Sequence, residues 1–182
     1  MPGSEDQEDV DLLEKAAGGS RDSFAALYAK HRRRLWAFLV RLEENADVVD
    51  ELIQETFVRA LRSAKGFAGK GKVSTWLFSI ALNAHRSRLR KRQRFRLFRQ
   101  RSRPSGTADD PASMAEQADT ADRVRQAIGA LPENQKSALV LSRYEGLSYE
   151  EIAEIESCSV DAVKQRVRRA LMRLRKELRE LQ

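Results

Sequence analysis

The side chains best placed to do chemistry in this sequence are arginines and lysines, and the chemistry they offer is recognition of a polyanion. Residues 86–103 hold Arg86, Arg88, Arg90, Lys91, Arg92, Arg94, Arg96, Arg99, Arg101 and Arg103 with no acid among them. Residues 164–179 hold eight basic side chains and one acid. Between them, residues 104–122 carry Asp109, Asp110, Glu116, Asp119 and Asp122, a net −5. Two dense basic blocks separated by an acidic spacer predict two separate contacts with nucleic acid, because clustered cations raise the local concentration of a polyanion. The overall charge of +7, from 34 Lys+Arg against 27 Asp+Glu, averages this pattern away.

Covalent chemistry has few supports. Cys158 is the single cysteine, so no intrachain disulfide forms and no Cys-rich zinc site exists. His31 and His85 stand far apart, and no metal-ligand spacing, phosphate-cradling glycine loop or nucleophile pair occurs. The expectation is no catalytic residue, no metal and no cofactor. No apolar run reaches the ~18 residues of a membrane span. The first twenty residues carry a net −5, the wrong sign for a secretory signal. A cytoplasmic protein that is not itself a membrane protein is expected. Cys158 beside a helix turn is read as packing rather than as a redox sensor.

Two finer features could contact bases. The stretch 65–72 reads KGFAGKGK, and three glycines in eight residues predict a loop. Phe67 with Lys65, Lys70 and Lys72 on such a loop could stack and hold an unpaired base, with Trp76 close by in sequence. Trp76 also fits an ordinary core position. Near the C-terminus, a short helix, a turn and a long basic helix form a helix-turn-helix pattern. The N-terminal residues of its second helix meet base edges in the major groove. Asp161, Lys164, Gln165 and Arg168 are the candidate base readers, with Lys or Arg donating to guanine and Gln bonding adenine. Arg166, Arg169 and Arg173 are assigned to phosphates, which position without reading sequence.

The elements that must carry these groups are helical. Low glycine, four prolines and 34% charged residues favour an all-α protein. Phe24, Leu27, Tyr28, Leu35, Phe38, Leu39 and Leu42 recur at steps of three and four, with Ser20 as N-cap. A second helix over about 46–64 buries Val48, Val49, Leu52, Ile53, Phe57, Ala60 and Leu61, with Asn45 as cap. Its outer face shows Asp47, Asp50, Glu51, Gln54 and Glu55, an acidic surface suited to a basic partner. A third helix starts near Ser74, turns Trp76, Leu77, Ile80 and Ala81 inward, and runs to about Arg94. Phe95, Leu97 and Phe98 punctuate the arginines beyond it. Residues 100–121, with Pro104 and Pro111, form a flexible linker whose composition builds no core. Beyond it, Val124, Ala127, Ile128 and Leu131 mark one short helix, and Pro132 opens the next. Ser148-Tyr149-Glu150-Glu151 is a capping box. Ser159 caps the last helix, which buries Val163, Val167 and Ala170. The expected plan is an acidic N-terminal tail over 1–19, one small helical domain over 20–99, the linker, and a second over 122–182.

With these residues in view, the chain resembles the sigma-70 family of RNA polymerase sigma factors, and in particular its small extracytoplasmic-function group. DELIQETFVRAL (50–61) resembles region 2.2, and STWLFSIALNAHRSRLRKR (74–92) resembles regions 2.3 and 2.4. LPENQKSALVLSRYEGLSYEEIAEI (131–155) and SVDAVKQRVRRALMRLRKEL (159–178) together resemble region 4. The resemblance implies a subunit that binds core RNA polymerase, directs it to promoter DNA and helps open the duplex. It implies that Asp47, Asp50, Glu51, Gln54 and Glu55 dock on the clamp coiled coil of the largest polymerase subunit, the polymerase flap being a further contact. It implies that Phe67, Lys72, Trp76, Asn83, Arg86 and Arg90 read the melted minus-ten element, and that the second helix of the helix-turn-helix reads the minus-thirty-five element. The linker would thread toward the RNA exit path, its acids mimicking RNA. An anti-sigma factor, commonly membrane-bound in this group, is a further implied partner. The sequence departs from the family pattern at three places. Ser87 replaces an Asp, Glu156-Ser157 replaces Leu-Gly, and Asp161-Ala162 replaces Gly-Thr. The competing class is a stand-alone helix-turn-helix regulator, which has no need of the acidic face at 50–55.

Overall fold

The computed structural model describes residues 4–67, 71–101 and 120–179. Among them every regular element is helical: α1 (Ser4–Ala17), α2 (Arg21–Leu42), α3 (Ala46–Ser63), a 3₁₀ turn (Ala64–Gly66), α4 (Val73–Arg101), α5 (Thr120–Gly129), α6 (Glu133–Arg143), α7 (Tyr149–Glu156) and α8 (Val160–Arg179). The linker acids Asp109, Asp110, Glu116 and Asp119 lie outside the described residues, as does Lys70.

Local chemistry sets the helix starts. The Ser20 hydroxyl accepts from the Ser23 amide, and the Asn45 side chain accepts from the amides of Asp47 and Val48. Each satisfies donors that the first helical turn leaves unpaired. The capping box forms as its spacing predicts, Ser148 accepting from the Glu151 amide while Glu151 accepts from the Ser148 amide. Pro132 sits one position earlier than expected, as the N-cap of α6 rather than inside its first turn.

The acidic N-terminus is more than a tail. It forms α1, whose Leu13 is fully buried and whose Ala16 is buried beside it against α2. Val10, Leu13 and Ala16 recur every third residue, an apolar stripe that the surrounding acids obscure in a charge count. The third predicted helix also continues past Arg94 to Arg101, because arginine is a good helix former and no proline intervenes before Pro104. In its last stretch Phe95, Leu97 and Phe98 are exposed.

Helices α2, α3 and α4 pack around Leu27, Leu35, Phe38, Leu39, Leu52, Ile53, Leu77 and Leu82, all buried. Phe38 and Phe78 meet edge to face at 5.3 Å and 89°, an arrangement aromatic quadrupoles favour. Each such side chain contributes roughly 1.5–3 kcal/mol by leaving water. One buried cluster runs from Leu13 through Leu82 to Ala138, Leu141, Ile152 and Val167, and a second, smaller one joins Leu131, Leu139 and Ala170 in the C-terminal helices. The two helical units are docked, chiefly α4 on α7 and α2 on α6. Lys136 of α6 is buried and donates to the Leu42 carbonyl at the end of α2, 2.9 Å away, where a cation meets the negative end of the helix dipole.

Candidate nucleic-acid and protein-docking surfaces

Three surfaces emerge from this packing. On α3 the face opposite the core leaves Asp47, Asp50, Glu51, Gln54 and Glu55 all exposed, as the 3.6-residue period predicts. Its charge is partly met by cations from neighbouring turns. Arg88 of α4 pairs with Glu51 at 2.6 Å, Arg32 of α2 with Asp50 at 3.6 Å, and Arg59 with Glu55 at 2.5 Å. The sequence showed no base on this stretch of α3 before Arg59. The fold supplies two from other helices.

The second surface surrounds the start of α4. Phe67 and Trp76 are half-buried, their rings 4.9 Å apart and inclined at 38°. They line a small cavity of about 260 Å³ with Gly66, Gly71, Lys72, Thr75, Ser79 and Glu154. Trp76 packs against the core and also walls this cavity. Lys72 is exposed and donates to Glu151 Oε1 at 2.8 Å. That hydrogen bond holds the lysine above its ordinary pKa of 10.5. Burial acts to raise Glu151, but the bonds from Lys72 and the Ser148 amide outweigh it and leave the carboxyl below 4.5. Asn83 and Arg90 are exposed further along α4. Arg86, one turn after Asn83, is turned inward and donates to Ser137 Oγ and Glu156 Oε1, each at 3.2 Å.

The third surface is α8. Ser159 caps it through the Ala162 amide at 3.2 Å, and Ser157 ends α7 in the left-handed region at φ +51. That is where Leu-Gly was expected, and a side chain there costs roughly 1–2 kcal/mol. The turn forms nonetheless, so α8 follows α7 as in a helix-turn-helix. Asp161, Lys164, Gln165, Arg168, Arg169 and Arg173 are exposed along it. Lys164 pairs with Asp161 at 3.3 Å, and Arg169 reaches Gln165 at 3.5 Å. Arg166 departs from its expected place. Instead of facing open surface it bonds Glu156, with Cys158 Sγ 3.3 Å from the same nitrogen.

Sequence reasoning missed the group at the centre of this arrangement. Glu156 has a fully buried side chain that accepts from Arg86, Arg166 and Ser137. The available signal was the carboxylate standing where relatives carry leucine. Also missed was a groove between α2 and α5, where Trp36 and Val40 face Val124 and Ile128, closed by Tyr144 under the Arg41 guanidinium at 4.5 Å. No group of metal-ligating side chains occurs among the described residues. None of their helices is long and apolar enough to cross a membrane.

A helix-turn-helix with an exposed basic second helix, docked on a bundle with an acidic face and a basic helix, defines an all-α protein of the DNA-binding class. The comparisons sharpen the class. The model of sigma-70 region 2 matches residues 27–95, and that of sigma-70 region 4 matches 121–174. The chain is 31% identical to the RNA polymerase sigma-H factor of Pseudomonas aeruginosa over 96% of both chains. It is 32% identical to the ECF RNA polymerase sigma-E factor of Haemophilus influenzae, covering 89% of this chain and 90% of the other. In structure it resembles the sigma factor RpoE of Bartonella quintana solved with the anti-sigma factor NepR, at TM-score 0.69 and 28% identity, over 86% of this chain and 96% of that one. CnrH, solved with the cytosolic domain of CnrY, gives TM-score 0.66 and 28% identity over 95% and 98%. The chain belongs to the sigma-70 family of RNA polymerase sigma factors, in its extracytoplasmic-function group. It is a transcription initiation factor that directs RNA polymerase to promoter DNA.

Proposed function

We propose a division of that work among the three surfaces. The exposed acids of α3, Asp47, Asp50, Glu51 and Glu55, together with Gln54, dock core polymerase on the clamp coiled coil of its largest subunit. The Phe67–Trp76 cavity with Lys72, Asn83, Arg86 and Arg90 takes the separated minus-ten strand, holding an extruded base and so offsetting the few kcal/mol of unstacking. Helix α8 enters the major groove at the minus-thirty-five element, with Asp161, Lys164, Gln165 and Arg168 at the bases and Arg169 and Arg173 at phosphates. The protein performs this work without catalysis of its own and acts where the polymerase is. The domain limits follow the same division, 20–99 for the first unit and 122–182 for the second, with 100–121 between them near the RNA exit path.

The observation that carries this reading is the exposed face of α8, where positions 161, 164, 165 and 168 share one side at the N-terminal half of the helix. RpoE of Bartonella quintana was solved with NepR and CnrH with CnrY. A comparable anti-sigma partner is proposed for this chain, and the groove of Trp36, Val40, Val124, Ile128 and Tyr144 offers it an apolar seat.

Run-off transcription with purified core polymerase and a genomic template library tests the proposal. Transcripts should start at defined sites sharing two upstream elements, and only when the chain is present. Tight, sequence-specific binding of duplex DNA by the chain alone, with no dependence on core enzyme, would instead make it a free-standing regulator.

A further inference from the structure

Thr75 is a polar side chain buried without a partner. It lies in the first turn of α4, only 5% exposed, and its Oγ1 makes no hydrogen bond. A serine or threonine on a helix ordinarily gives its hydroxyl proton to a carbonyl one turn back. Thr56 does so to the Leu52 carbonyl at 2.6 Å, Ser63 to Arg59 at 2.7 Å and Ser79 to Trp76 at 2.7 Å. Thr75 does not, although a buried hydroxyl left unpaired destabilises a fold by more than a typical bond stabilises it. What the residue lines is informative. Thr75 forms part of the wall of the cavity behind Phe67 and Trp76. At about 260 Å³ that cavity is smaller than the pockets of drug-sized ligands and suits a single base.

Ser79 lines the same cavity four residues further on, so the two hydroxyls share one face of α4, with roughly 5–6 Å between their Cβ atoms. They differ in what they offer. The Ser79 proton is committed to the Trp76 carbonyl, which leaves its oxygen to accept. The Thr75 proton is uncommitted, so that hydroxyl can donate. A donor beside an acceptor, next to an aromatic wall, matches the Watson–Crick edge of an extruded base. Cytosine and adenine present an amino group beside a ring nitrogen that carries a lone pair. Thymine and guanine present the reverse, a carbonyl beside a ring N–H. Against either of those, the Ser79 lone pairs would face a carbonyl oxygen.

We propose that Thr75 is the base-reading residue of the Phe67–Trp76 cavity: its hydroxyl donates to the ring nitrogen while Ser79 accepts from the amino group, selecting an extruded cytosine or adenine over thymine or guanine. This rests on the assignment of the cavity to the minus-ten strand, and adds to it the class of base and the residue that reads it. The base supplies the bond that Thr75 lacks, so the hydroxyl is satisfied only in the complex. A base with the reverse pattern leaves buried polar groups unpaired, which is how a hydrogen-bonding site rejects a close analogue.

The test uses the chain assembled with core polymerase and a labelled single strand of the minus-ten element, its sequence taken from the mapped start sites. Strands carrying each of the four bases at each position are compared by fluorescence anisotropy. Wild type should prefer cytosine or adenine at one position. Thr75→Val keeps the branched shape and removes the hydroxyl. It should reduce the preference at that position by about two- to twelvefold, the scale of one hydrogen bond, and leave the other positions unchanged. Its melting temperature without DNA should equal or exceed that of wild type, because no internal bond is lost. Thr75→Ser keeps the donor and should keep the preference, whereas Ser79→Ala should weaken it.

A Thr75→Val profile identical to wild type at every position overturns the proposal. So does a uniform loss across all strands accompanied by a lower melting temperature, the mark of a hydroxyl that holds the fold. A wild-type preference for thymine or guanine at the responding position overturns the class of base. Failure of the underlying assignment is read separately with Phe67→Ala, which removes one wall of the cavity. If affinity and preference survive that change at every position, the cavity does not take the strand. If they fall with Phe67→Ala while Thr75→Val keeps the full profile, the cavity assignment stands and Thr75 is not its reader.

Discussion

Replacing Arg168 by alanine separates base reading from phosphate contact on α8. The side chain is exposed, and among the described residues it makes no hydrogen bond or ion pair, so its removal should leave stability within about ±0.5 kcal/mol. Any loss is then a loss of DNA contact. Residues 161 to 168 span about 10 Å of helix at ~1.5 Å per residue, enough to follow about three base pairs. A bidentate base contact contributes about 1–3 kcal/mol of discrimination, roughly 5- to 150-fold. The assay is competitive binding of the reconstituted holoenzyme to promoters randomised across the upstream element, at several salt concentrations. Arg168→Ala should cost affinity at one base position and leave the rest of the preference intact. A uniform loss across all sequences, with the salt slope reduced by about one phosphate, would refute base reading and reassign the residue to the backbone. Arg166→Ala is the informative contrast. It removes a donor from the buried Glu156 carboxylate and should destabilise the fold by about 1–3 kcal/mol, seen as a lower Tm before any DNA is added.

Three other outcomes follow from particular contacts. Gln54→Ala with Glu55→Ala, both exposed on α3, should weaken co-elution with core polymerase while the circular dichroism melt stays unchanged; retained co-elution would remove α3 from the docking surface. Ser157→Gly relieves a left-handed backbone at φ +51 and should raise stability by about 0.5–1 kcal/mol in urea unfolding, and a loss would mean the serine side chain holds the turn. Burial pushes His31 below its ordinary pKa of 6.5, with Asp9 opposing and Lys30 and Arg34 assisting. Because the unfolded chain protonates first, the stability tied to this group is present above pH 6.5 and declines as pH falls below it. Amide protection factors in α1, which normalise for the intrinsic exchange rate, should therefore fall as pH drops from 7.5 to 5.5, and Asp9→Asn should change that profile; unchanged protection factors would show that His31 does not govern the seating of α1 on α2.

The sequence by itself determined the local order of this protein. Caps at Ser20, Asn45, Ser148 and Ser159, and apolar steps of three and four, depend on neighbours within a turn of helix, so spacing alone exposes them. The acidic face of α3 and the basic face of α8 were legible for the same reason, since a helix of known period fixes which side chains share a side. What lay beyond one helix was not legible. The burial of Leu13 against α2 depends on a partner surface that the acids of α1 conceal in any composition count. The pairing of Arg88 with Glu51, the turning inward of Arg86 and Arg166, and the descent of Glu151 and Glu154 onto the Phe67–Trp76 cavity join residues on different helices, from 10 to 79 positions apart. Such contacts are set by how helices dock, and a period of 3.6 residues says nothing about docking. The charge pattern named the groups able to bind a polyanion; only the tertiary structure decided which of them are already held by the chain's own carboxylates, because a cation's partner is chosen by proximity in space.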